Sequence, residues 1–333
     1  MRKALFAIAL LGTTLAIYGR PTPAAAPPAP PLWLIATHAN DPESTLTRVD
    51  AAHATLEPLA RLPHLPGATV RGAAMPDGRT VMVVADRALF RVQAGAAPAQ
   101  LCDRVDVASR PLVTSEGRVL VSRSRGNEVS VDEIDPNSGA ARPVWQGSGF
   151  LAHLAGAWNG EIVIYRVHAG GAALLAVTLD GGRVRSLIPS LPPFARDFSI
   201  AGDRLVFAGR DEEDSNQWVV DALELRTGAR ERLYRSSSQH LAPHVWPGGL
   251  VAIAEDQRGL TLLGAGVHAA AGAGVDVVRA LSADGRFAAA WHYPPGAAEP
   301  EVLVLDAQAR LQARYARPQT RLEIVGFAGS GAP

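Results

Sequence analysis

Seven basic side chains occupy matching places in a repeated phrase. Arg71, Arg110, His153 and Arg196 each lie seven residues ahead of a turn, at Gly78, Gly117, Gly160 and Asp203. A slip of one residue adds His240 and Arg279 ahead of turns at Gly248 and Gly285, and Arg321 heads the last apolar segment. A guanidinium presents a fixed fork of N–H donors that matches the oxygens of a carboxylate or phosphate. Equivalent positions gathered around one axis would make a basic ring, focusing positive potential where an anionic ligand could enter. The same residues also have a structural use, because a buried arginine needs a partner, and Asp106, Asp197 and Asp276 are close by in sequence. Packing alone would be served by small or apolar side chains.

Other chemistry leaves fewer traces. There is no Gly-x-Ser-x-Gly, no Cys-x-x-Cys and no His-Glu-x-x-His, so serine hydrolysis and the common zinc spacings are not supported. Lys3 is the single lysine, which removes Schiff-base chemistry and the lysine of a phosphate-binding loop. His240 and His244 in "HLAPHVW" would lie about 13 Å apart along a strand, too far to share a metal unless Pro243 bends the chain. Asp211, Glu212, Glu213 and Asp214 crowd one hairpin tip without the spacing of a Ca²⁺ loop, and a solvated tip is expected. Cys102 is the lone cysteine, so an internal disulfide is impossible, and a small buried hydrophobe is the expectation. No metal and no cofactor are expected.

The elements that must position the basic residues follow from the turns. "MPDGRTVMVV", "TSEGRVLVS", "AWNGEIVIY", "IAGDRLVFA", "WPGGLVAIA" and "SADGRFAAAW" recur at intervals of about forty residues, the length of a four-stranded propeller blade. Further turns in "EIDPNSGAARPVW", "VTLDGGRVRSL" and "LELRTGARERLY" supply the outer hairpins, and no segment carries a sustained helical stripe. "LWLIATH", "STLTRVD" and "TLEPLARL" read as three strands lacking a first one, while the C-terminal "RLEIVGFAG" reads as a first strand with nothing after it. Joining them predicts an all-β, seven-bladed β-propeller over 32–333, its ring closed by the C-terminal strand and its sheet edges covered. Trp158, Trp246 and Trp291 are expected to fill space between blades.

"MPDGRTVMVV" and "SADGRFAAAW" resemble the S-x-DG-[KR] phrase of TolB-like propeller repeats. The resemblance implies a propeller that binds a partner protein or caps an enzyme, although no α/β domain is read ahead of the repeats. The N-terminal "MRKALFAIALLGTTLAIYGR" has the layout of a secretory signal or an uncleaved anchor over 1–26, followed by a Pro/Ala linker at 27–31. The formal charge of zero argues against nucleic-acid binding through general phosphate attraction. The expectation is an exported, periplasmic or extracellular monomer that serves as a non-catalytic scaffold. Its ligand would be a protein segment or an anionic small molecule at the channel mouth. A propeller enzyme of lactonase or dehydrogenase type, with a metal or quinone in the channel, is the alternative.

Overall fold

A computed structural model describes residues 28–50, 55–256, 258–264, 267–271 and 274–328; the expected signal or anchor at 1–26 lies outside them. Among the described residues, 28 strands form seven four-stranded antiparallel sheets. Blade 1 places the C-terminal strand Thr320–Phe327 beside Leu32–His38, followed outwards by Glu43–Asp50 and Thr55–Pro63. Blades 2 to 7 run in chain order from first strands at Arg71–Ala74, Leu112–Val113, Leu151–Trp158, Arg196–Ala201, Leu241–Trp246 and Val277–Leu281. Each of these seven first strands touches the first strand of the next blade, and Val277–Leu281 touches Thr320–Phe327, so they enclose a central channel.

Turn chemistry fixes each blade's inner hairpin. The six aligned turns fall between first and second strands, with Gly78, Gly117, Gly160, Gly202, Gly248 and Gly285 all at positive φ, a conformation that glycine adopts without steric penalty. Asp77 accepts the Arg79 and Thr80 amides at 2.8 and 2.9 Å and the Thr80 hydroxyl at 2.7 Å. Asp284 does the same work in blade 7, where the Ser282 hydroxyl and then the Arg286 amide and side chain hold its carboxyl down to about 2.

The core is distributed around the ring. One apolar cluster lies at each of the seven blade-to-blade interfaces. Second strands such as Thr80–Ala85 are buried along their whole length because both faces pack on a neighbour, which is why they read as continuous apolar runs. Outer strands such as Arg230–Ser236 are half exposed and polar. The tryptophans do bridge blades: Trp158 Nε1 donates to Asp203, Trp246 Nε1 to the Ala307 carbonyl and Trp291 Nε1 to the Leu322 carbonyl, each at 2.9 Å.

Past a bulge between Trp33 and Leu34, closure keeps register, with Leu34 opposite Ile324, Ala36 opposite Leu322 and His38 opposite Thr320. Ala29 packs on the cluster between blades 7 and 1, and the Pro31 carbonyl accepts the Ala328 amide at 2.7 Å, so the end of the Pro/Ala segment is fastened to the closing strand. Leu322, Ile324, Val325 and Phe327 are all buried. At about 1.5 to 3 kcal/mol per buried apolar side chain, their loss removes as much as a domain's usual net stability of about 5 to 15 kcal/mol. Deleting 320–333 is therefore expected to abolish cooperative folding; a truncated protein whose thermal unfolding by circular dichroism matches that of the full chain would contradict closure by this strand.

Candidate functional site

Antiparallel blades reverse direction at every turn. The loops that enter the first strands and the turns between second and third strands therefore share one face of the ring. Arg71 and Arg196 open their strands, Arg321, His153 and Arg279 lie second or third in theirs, His240 immediately precedes its strand and Arg110 stands two residues before its own. All seven residues stand at the same end of the channel.

Two ion pairs cross the mouth between alternate blades. Arg110 of blade 3 donates to the buried Glu323 of blade 1 through Nη2, and to the Ile324 carbonyl at 3.2 Å through Nη1. Arg279 of blade 7 lies 3.3 Å from Asp197 of blade 5, which Arg196 also approaches at 3.5 Å. Arg321 stands 3.9 Å from the other Glu323 oxygen. Arg71 donates Nε to the Val107 carbonyl at 3.3 Å and makes no ion pair among the described residues. The faces of Trp218 and Trp291 lie under the Arg196 and Arg279 guanidiniums at 4.4 and 4.7 Å, an added attraction for the cations. Five guanidiniums thus converge on two carboxylates.

The crowding shows in the titration of the site. Burial lowers the Arg110 pKa below its usual value, with Arg279 and Arg321 adding to the effect and Glu323 opposing it. Burial likewise lowers that of Arg71, where Glu323 again opposes and Arg110 and Arg321 add. His153 is pushed down to about 4, first by burial and then by Arg71, Arg110 and Arg279; its ring packs 5.7 Å from that of Phe198. It is a neutral member of the ring at physiological pH.

Beside the crossing pairs lies a pocket of about 360 Å³ lined by Arg196, Asp197, His240, Asp256, Asp276 and Tyr293. His240 is therefore at the mouth but remains exposed and contacts Gln239. His244 is half-buried, with Nδ1 2.7 Å from the Val245 carbonyl. Its strand keeps unbroken register with Leu250–Glu255, so Pro243 makes no bend and the two histidines are not brought together. No three His, Cys, Asp or Glu side chains among the described residues stand together as a metal site.

Two local expectations are corrected. Of the carboxylates proposed as ring partners, Asp106 instead caps the Ala108 amide at 2.9 Å, and Asp276 accepts the Tyr293 amide at 2.6 Å. Asp211 is buried rather than solvated, bound by Arg232 at 3.0 Å and by Arg235. Cys102 is half-buried against the apolar cluster between blades 2 and 3, and burial pushes its thiol up. The residue that sequence reasoning missed is Glu323. Its signal was present, since two places after Arg321 in a strand the chain faces the same side, and a carboxylate there interrupts the apolar run "LEIVGF".

No family model matches the chain, and no curated protein does. Solved structures with the same architecture do. TolB from Acinetobacter baumannii is 11% identical at a TM-score of 0.57 over 89% of this chain and 67% of its own. A quinoprotein alcohol dehydrogenase-like protein from Bacteroides thetaiotaomicron is 10% identical at 0.58 over 89% and 78%. A chain of a nidogen/laminin complex is 12% identical at 0.52 over 90% and 98%. The fold is that of the TolB-like propellers, and at these identities the likeness extends to the fold alone.

The His153 shift sets a pH dependence. Unfolded histidine takes its proton near pH 6.5 and the folded one near 4, so stability is complete above 6.5 and is lost as the pH falls towards 4, by about 1.4 kcal/mol per unit. His244, also lowered chiefly by burial, acts in the same direction. Urea unfolding between pH 7 and 4 is expected to show this loss, and His153→Gln to flatten it; equal slopes for the two proteins would contradict a desolvated, cation-facing histidine.

Proposed function

We propose that the protein is an exported, non-catalytic binding module that takes an acidic segment of a partner protein at the channel mouth. The observation that carries this reading is the crowding of Arg71, Arg110, Arg196, Arg279 and Arg321 at the mouth, where the carboxylates they approach are Glu323 and Asp197 and where Asp256 and Asp276 line the adjoining pocket. An incoming carboxylate relieves cation repulsion there and gains charge-assisted hydrogen bonds. The surroundings favour a protein ligand. Leu65, Phe150 and Phe194 are exposed in loops that enter first strands, and Tyr293 is exposed between the second and third strands of blade 7. All four lie on the mouth face, where apolar anchors around a charged centre suit a peptide chain. The nidogen/laminin structure is of a protein complex, which lends the fold-level analogy its modest weight.

A lactonase- or dehydrogenase-like enzyme is supported less well, since both carboxylates at the crossing pairs are engaged by arginines. Export rests on the basic and apolar pattern of 1–26 and places the module in the periplasm or outside the cell.

Arg71 separates binding from folding, because removing it orphans no carboxylate. Against a nonapeptide library rich in Asp and Glu, with its Asn and Gln counterpart as control, the wild type is expected to prefer the acidic set. Arg71→Gln should weaken that binding about tenfold, the loss of one charge-assisted hydrogen bond, with an unchanged melting temperature. Arg110→Gln should instead lower stability by about 3 kcal/mol by stranding Glu323. Binding of citrate without peptide preference would point to a small anion, and equal affinity of wild type and Arg71→Gln would refute the mouth as the site.

A further inference from the structure

We propose a second binding site on the same face, at the rim between blades 2 and 3, for a saccharide bearing a phosphate or sulfate group. A groove of about 760 Å³ there is lined by Arg87, Arg104, Arg123 and Arg125, within the range of about 300 to 1,000 Å³ common for small ligands. Arg87 comes from the turn between the second and third strands of blade 2, Arg104 from the loop leading into blade 3, and Arg123 and Arg125 from the second strand of blade 3. Arg123 is held by Asp132 at 3.0 Å. Arg87, Arg104 and Arg125 are exposed and make no side-chain hydrogen bond or ion pair among the described residues. In blade 5, by contrast, Arg230, Arg232 and Arg235 are all satisfied by carboxylates. Glu128 is the one acidic residue of the lining.

Two of the three unpaired arginines also hold a positive φ, which six other non-glycine residues among those described share. Arg87 and Arg104 both have positive φ, at 63° and 61°, a conformation disfavoured for a residue with a long side chain. Gly126 holds a comparable φ of 62° after the second strand of blade 3, so glycine was available for such a place. Side chains kept at a steric cost, and left without partners, point to a use outside the fold.

Three unpaired forks arriving from separate elements suit an oxyanion better than a planar carboxylate, because phosphate and sulfate esters present three acceptor oxygens in different directions. Ser124, Ser130, Gln146 and Ser148 line the remainder of the groove and offer the hydroxyl and amide groups that sugar hydroxyls pair with. The site is separate from the channel and does not depend on the acidic-segment reading.

Calorimetric titration of the full chain with glucose 6-phosphate, glucose 6-sulfate, inorganic phosphate and glucose tests the proposal. Both esters are expected to bind, glucose not to bind, and inorganic phosphate to bind more weakly than the esters. Arg87→Gly should weaken ester binding about tenfold while leaving the melting temperature equal or higher, since it relieves the backbone. Arg104→Gln with Arg125→Gln should do the same without a stability gain, and Arg183→Gln, on the opposite face, should bind as the wild type does. Failure of the esters to bind, equal affinity for the bare ion, or a loss produced by Arg71→Gln in place of Arg87→Gly would each overturn the site.

Discussion

The pairing of Thr320–Phe327 with Leu32–His38 is the constraint on which the rest of the molecule depends. Each blade buries its faces against two neighbours, and a ring of seven such contacts leaves no apolar face uncovered only when the last contact closes. The closing strand contributes to the clusters on both sides of blade 1, through Leu322, Ile324 and Phe327 on one face and Val325 on the other. Gly72 of blade 2 lies so near Ile35 and Val325 that a Cβ would meet them at 2.9 and 3.0 Å. The same strand delivers Arg321 and Glu323 to the axis. Closure and the channel mouth are thus built from one segment, and Arg110 reaches that segment twice, at a carboxylate and at a backbone carbonyl.

The mouth tolerates its cations through several small compensations. Cross-channel pairing neutralises two of them, indole faces lie under two, and His153 gives up its proton. Such a site pays for burial in desolvation, and ion pairs of this kind do little for stability beyond offsetting that penalty. Among the described residues Arg71 has a carbonyl as its one hydrogen-bonding partner, and the Arg279 Nε is buried without one. Donors left without a carboxylate at the mouth are what an anion or a peptide carboxylate would complete.

Turn glycines, the interval between them and the orphan strands at the two ends made the architecture legible, because all three are local signals that a propeller repeats. The position of each basic residue followed from the same alignment. Apart from Asp197 beside Arg196, the partners did not. Arg279 meets Asp197 across 82 residues and Arg110 meets Glu323 across 213, and ring geometry, which skips a blade at each pairing, decides those contacts. Nearness in sequence favoured Asp106, Asp197 and Asp276: Asp197 does meet Arg196 and Arg279, but Asp106 is captured by the Ala108 amide in its own loop and Asp276 by the Tyr293 amide of a neighbouring loop, as short acidic side chains near turns often are. Asp211 was misjudged for a related reason: Arg232 and Arg235 on an outer strand of its own blade pair with it and bury it, while Glu212 and Glu213 beside it stay exposed.

Glu323 occupies the position that an incoming carboxylate would share, and it already engages Arg110. Glu323→Gln keeps an oxygen for that guanidinium while removing the charge, leaving one more cation uncompensated at the mouth. The dissociation constant of an Asp/Glu-rich nonapeptide, measured well below the melting temperature of both proteins, should fall for Glu323→Gln relative to the wild type and should converge with it as salt is raised. An unchanged or higher dissociation constant at low salt would mean that the basic ring serves the fold and takes no acidic ligand.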